Sequence, residues 1–183
     1  GGADFNDKDK AGELNFAQQQ LPPGSSFKPY DYLTLIENTE NSGAGSVLYD
    51  TQGPLEGYSC TDKTLSRTKG NCLKDYDLRY PGPLTLRYAL GGSRNVPAVK
   101  AMLIAGVEKT IDTANKLGLY DEEYDTGNYK CYQAGQERKK EFETPCYGSS
   151  AIGDGAYLNL DKHVHAYSTI SRNGNKIPQT YIL

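Results

Sequence analysis

The chain has 183 residues, a formal net charge of -3, 37% hydrophobic side chains, 15 Tyr, 4 Phe and no Trp. That length fits one domain with a thin core, no run approaches the roughly 18 apolar residues of a membrane span, and the mildly acidic balance argues against a nucleic-acid partner. The first residue is Gly1 and the sole methionine is Met102, as in a processed chain or a piece of a longer one.

Residues 1–24 are polar and end in Leu21-Pro22-Pro23-Gly24, a loop signal. A helix is expected from Ser25 through Glu37, because Pro29 falls in a first turn whose amides have no helical acceptor. Residues 39–80 read as long loops with short extended pieces. A second helix is expected over Pro83–Leu90, stopping at Gly91-Gly92. Asn95 is placed to cap the next helix, with Pro97 in its first turn and Ala98, Val99, Met102 and Leu103 as its apolar face. Val107, Ile111, Ala114 and Leu117 make a further helical stripe that Gly118 closes. Residues 120–150 are charged and loop-like. A last helix is expected over Leu160–Arg172, with Leu160, Val164, Tyr167 and Ile170 at helical spacing and Gly174 closing it, and Ile177–Leu183 is extended. The fold class that follows is mainly α with long loops and few short strands.

Four cysteines allow three pairings. Pairing Cys60 with Cys72 and Cys131 with Cys146 closes two short loops, each worth roughly 3 kcal/mol if unstrained. Free thiols and a metal site are the alternatives, but C-x11-C and C-x14-C lack the close pairs of zinc ribbons. Disulfides would place the chain in an oxidising, extracytoplasmic setting. Asp161, His163 and His165 suggest a metal, yet positions two apart on a helix diverge, so a solvated face is expected there.

Ser25 and Lys28 stand three apart, which on a helix puts hydroxyl and amine on one face. A serine needs a base within hydrogen-bond reach to act as a nucleophile. A lysine serves only if burial or nearby cations lower its pKa from about 10.4. Alone, the pair is as consistent with a helix cap beside a solvated lysine. Ser93-Arg94-Asn95 is equally modest alone, and Ser171-Arg172-Asn173 repeats its pattern.

The flanks are more specific. Pro23-Gly24-Ser25-Ser26-Phe27-Lys28-Pro29 resembles the active-serine segment of class A penicillin-binding proteins. Gly1-Gly2-Ala3-Asp4-Phe5 and Asn15-Phe16-Ala17 are similar to pieces that precede it in that family. Gly82-Pro83-Leu84-Thr85-Leu86-Arg87 through Ser93-Arg94-Asn95-Val96-Pro97-Ala98-Val99, and then Ala166-Tyr167 through Asn173-Gly174, resemble later family segments, in order.

The resemblance implies that Ser25 is the acylated nucleophile, Lys28 its proton acceptor, Ser93 a proton relay to the leaving group, and Asn95 a ligand for the substrate's peptide amide. Ser26 is then a neighbour, and Ser171 and Asn173 are structural. It implies a single partial transpeptidase domain over 1–183, the helical part of an α/β penicillin-binding-protein or β-lactamase-like fold whose central antiparallel sheet is largely missing. It further implies a peptidoglycan cross-linking D,D-transpeptidase that needs no cofactor or metal. Its partners would be D-Ala-D-Ala stem peptides and β-lactam antibiotics. Its location would be extracytoplasmic, with a membrane anchor and a glycosyltransferase domain upstream.

The family's third motif, Lys-Thr-Gly or a close variant, does not occur in these 183 residues. The resemblance places it after Gly174, so the chain alone is expected to acylate weakly: losing one oxyanion donor typically costs about 3–4 kcal/mol. A β-lactamase or D,D-carboxypeptidase of the same superfamily is one alternative. The other is a secreted, disulfide-stapled binding module in which the serine motif is incidental.

Overall fold

The helix beginning at Asn95 is apolar on almost every side, and it forms the centre of the structure's larger unit. In this computed structural model residues 4–58, 60, 72–119, 147–154 and 157–180 are described. The chain divides into two units: Pro23–Thr113 with Lys130–Ala156, and Gly1–Pro22 with Ala114–Tyr129 and Tyr157–Leu183.

In the larger unit, a 3-10 turn at Gly24–Phe27 runs directly into α1 (Lys28–Asn38). Pro29 sits in the first turn of α1, where its missing N–H leaves no helical bond unmade. β2 (Val47–Asp50) pairs antiparallel with β3 (Gly82–Thr85), and β3 leads into α2 (Leu86–Gly91). The expected helical start at Pro83 is therefore corrected. Residues 82–85 are drawn into a ladder with residues 47–50, a non-local pairing that overrides local preference, and the Thr85 side chain caps α2 by accepting from the Tyr88 N–H.

α3 (Asn95–Ala105) buries Val96, Pro97, Ala98, Val99, Ala101, Met102 and Ala105, more than one face, as a helix apolar all round should. Tyr32 and Leu35 of α1, Leu86 and Ala89 of α2, and Ala98, Ala101 and Ala105 of α3 form one core cluster, with Ile36, Leu48 and Leu84 packed on it. α4 (Val107–Ala114) follows, and a 3-10 turn at Gly148–Ile152 packs against α3. Cys60 and Cys72 are bonded in this unit; Cys131 and Cys146 lie outside the described residues, as does most of the charged 120–150 stretch.

In the smaller unit, β1 (Gln20–Leu21) pairs antiparallel with β4 (Leu158–Asn159), and α5 (Leu160–Ser171) packs against the Asn115–Leu119 turn. Gly118 there has φ 128, and a Cβ at that position would lie 2.4 Å from the His165 ring. The inward face of α5 is not its most hydrophobic one. Lys162, His163, Ala166 and Thr169 are buried, while Leu160 and Val164 are 55% and 59% exposed. Both faces recur at helical spacing. His163 is thus not on a solvated face; burial lowers its pKa, and its ring meets Tyr167 edge-on at 5.0 Å. No helix among the described residues is long and apolar enough to cross a membrane.

Candidate active site

Lys28 is the first residue of α1 and is only 1% exposed. Its Nζ donates to the Ser93 carbonyl oxygen at 2.6 Å, to Ser93 Oγ at 3.1 Å and to Asn95 Oδ1 at 2.7 Å. Burial lowers its pKa to about 8, opposed by the charges of Asp75 and Asp31. An ammonium has three donors, and all three are used here. Discharging Lys28 leaves two N–H groups and a lone pair. The Ser93 hydroxyl is the partner able to turn from acceptor to donor, and its contact is the longest. Proton movement at Lys28 is therefore coupled to Ser93.

Ser93 holds this place through an unusual backbone. Its φ is 50, in the left-handed region that costs a non-glycine residue roughly 1 kcal/mol. The turn it makes follows α2 and lets Arg94 run extended into α3. Asn95 does not cap α3, as the sequence suggested: Arg94 occupies the cap position. The Asn95 side chain is instead committed to Lys28 through Oδ1 and to the Lys74 carbonyl through Nδ2, at 2.8 Å.

Ser25 is exposed on the Gly24–Phe27 turn, and its hydroxyl is not among the Lys28 partners. Catalytic hydrogen bonds without substrate are often long and tighten on binding. The Ser26 hydroxyl donates to the Pro23 carbonyl at 2.7 Å. Ser171 lies at the end of α5, where its hydroxyl donates to the Ser168 carbonyl, and Asn173 follows with φ 55; both belong to the smaller unit.

Three features near the site carry no motif that sequence reading would flag. Asp31 is fully buried, neither carboxylate oxygen has a hydrogen-bond partner among the described residues, and burial raises its pKa well above the usual range. Arg94, 6% exposed, is bound by Asp50 at 2.6 Å and Asp77 at 2.9 Å, and lies 3.5 Å from Asp75. Gly153, with φ 74, abuts the Gly24–Phe27 turn so closely that a Cβ would fall 2.2 Å from the Gly24 nitrogen.

The model of the penicillin-binding protein transpeptidase domain matches residues 2–182. The chain is 36% identical over 110 residues to penicillin-binding protein 1A/1B of Bacillus subtilis (strain 168), covering 59% of this chain and 11% of that protein. It is 26% identical over 178 residues to penicillin-binding protein 1A of Neisseria cinerea, covering 97% of this chain and 18% of that protein. It therefore spans less than a fifth of these relatives. Among solved structures, penicillin-binding protein 1A from Haemophilus influenzae matches with TM-score 0.63 at 24% identity, covering 92% of this chain and 21% of that one. Penicillin-binding protein A from M. tuberculosis, as its imipenem acyl-enzyme complex, matches with TM-score 0.65 at 18% identity, covering 93% of this chain and 37% of that one.

Proposed function

We propose, on the premise that this chain belongs to the penicillin-binding protein transpeptidase family, that it carries the acylation site of a peptidoglycan cross-linking D,D-transpeptidase. The observation that carries the reading is Lys28: a buried amine, its pKa lowered to about 8, three residues from an exposed serine and bonded to both Ser93 and Asn95.

Neutral Lys28 accepts the Ser25 proton as Oγ attacks the penultimate D-Ala carbonyl of a stem peptide. The C–O bond forms, the tetrahedral centre collapses, and the C–N bond to the terminal D-Ala breaks. The departing amine takes its proton from Lys28 through the Ser93 hydroxyl, while Asn95 Nδ2 holds the substrate's peptide carbonyl. An amine of a neighbouring stem peptide then displaces Ser25. Nucleophile, base and relay all come from the chain itself, so the proposal calls for no cofactor or metal. β-Lactams acylate the same hydroxyl.

The reading implies an extracytoplasmic location, where peptidoglycan lies and where the Cys60–Cys72 disulfide is favoured. An upstream anchor and glycosyltransferase domain are part of the same proposal, as is weak acylation by residues 1–183 alone, which contain no Lys-Thr-Gly motif. Fluorescent penicillin labelling of wild type and Ser25→Ala tests it. Covalent labelling lost in the variant supports the transpeptidase reading. Equal labelling in both contradicts it, and rapid release of hydrolysed penicillin would favour a β-lactamase instead.

A further inference from the structure

Lys74 and Asp75 pin Asn95 from consecutive positions. The Lys74 carbonyl accepts from Asn95 Nδ2 at 2.8 Å, and Asp75 Oδ1 accepts from the Asn95 backbone N–H at 2.5 Å. That leaves Asn95 Oδ1 aimed at Lys28. Asp75 is 1% exposed, so it does not itself touch substrate. Of the charges acting on Lys28, that of Asp75 is the largest.

We propose that Asp75 is a positioning residue of the acylation site: its carboxylate fixes the start of α3 against Lys28, and its charge holds the lysine's proton there.

This rests on the reading of Ser25 and Lys28 as the acylating pair. The groups facing Asp75 are Lys28 and Tyr32 from α1, Asp50 from the end of β2, Arg94 from the turn before α3, and Tyr80. Burial, with the neighbouring Asp50 carboxyl, raises Asp75 to about 7, against the opposing N–H of Asn95 and the charge of Arg94. Asp75 therefore changes charge in the range where Lys28 begins to lose its proton. When Asp75 is ionised it favours the Lys28 ammonium; protonated or replaced by a neutral group, it releases the amine as a base at lower pH.

The test follows the acylation rate by fluorescent penicillin against pH in the protein as its gene encodes it. Asp75→Asn keeps an acceptor for Asn95 and removes the charge, so the rising limb should move down by about half a pH unit or more. Asp75→Glu keeps the charge: its limb should stay at the wild-type pH while the rate falls roughly tenfold from misplacement of Asn95. Asp50→Asn removes a different carboxylate of the Arg94 cluster and favours ionised Asp75, so its limb should not move down. An unchanged limb in Asp75→Asn, or an equal downward shift in Asp50→Asn, overturns the proposal. Should Asp75→Asn fail to fold, an unshifted limb with a rate about tenfold down in Asp75→Glu supports it, and a shifted limb or a wild-type rate there overturns it. Wild-type labelling that survives Ser25→Ala marks failure of the parent reading, separately from any Asp75 result.

Discussion

Nζ of Lys28 donates to Oδ1 of Asn95 at 2.7 Å across 67 residues of sequence. That bond joins the first turn of α1 to the first turn of α3 and orients the amine toward Ser93. Lys28→Ala should lower penicillin acylation about 10²–10⁴-fold, the usual range for a lost acid–base group. Lys28→Arg should not restore it, because guanidinium stays charged. Acylation by Lys28→Arg within a few-fold of wild type would contradict the role of Lys28 as base.

Ser93 separates stability from activity. Its left-handed backbone, φ 50, suits glycine, so Ser93→Gly should be more stable than Ser93→Ala by about 1 kcal/mol. Both lose the hydroxyl that the proposed mechanism uses as a relay and should acylate at least about tenfold more slowly than wild type. Thermal melts and labelling rates on the two variants read this directly; a glycine variant that keeps full rate would remove Ser93 from the proton path.

Gly153 packs against the Gly24–Phe27 turn that carries Ser25. Gly153→Ala combines φ 74 with a Cβ 2.2 Å from the Gly24 backbone nitrogen, and backbone cannot swing aside as a side chain can. It should destabilise the chain by roughly 2 kcal/mol or more and abolish labelling of Ser25. Normal melting and labelling by this variant would show that the two turns do not touch.

Stability should pass through a minimum near neutral pH. Asp75 holds its proton up to about 7, chiefly from burial, and Asp31 is raised in the same direction. Between about pH 4 and pH 7 the unfolded chain has released the Asp75 proton and the folded chain has not, so stability falls as pH rises. Lys28, lowered to about 8 by burial, works oppositely. Above pH 8 the folded chain binds fewer protons than the unfolded one, and stability recovers toward the ordinary lysine value near 10.4. Melting temperature against pH should dip between about 7 and 8, and Asp75→Asn should flatten the acid side. A maximum there would refute the assignment.

Ser25, Lys28, Ser93 and Asn95 were legible in the sequence because their flanking segments resemble those of the penicillin-binding family, in the same order. The sequence also placed the helices that begin near Ser25 and Asn95, where prolines at first-turn positions and an apolar run act locally. What it missed is non-local. Pro83–Thr85 pairs with Val47–Tyr49, a contact invisible to a window around Pro83. Asp75 reaches the Asn95 backbone across 20 residues, and Gly153 reaches Gly24 only once the Gly148–Ile152 turn has docked. On α5 the helical period was legible, but which side is buried was not. Leu160 and Val164 are the more hydrophobic residues yet stay exposed, while Ala166 and Thr169 are buried.

The most direct test of the account is the site of β-lactam attachment. Intact mass followed by peptide mapping, after incubating the protein as its gene encodes it with penicillin, should show one adduct on the peptide containing Ser25, absent from Ser25→Ala. An adduct on Ser26, Ser93 or any other residue, or one that persists in Ser25→Ala, would contradict it.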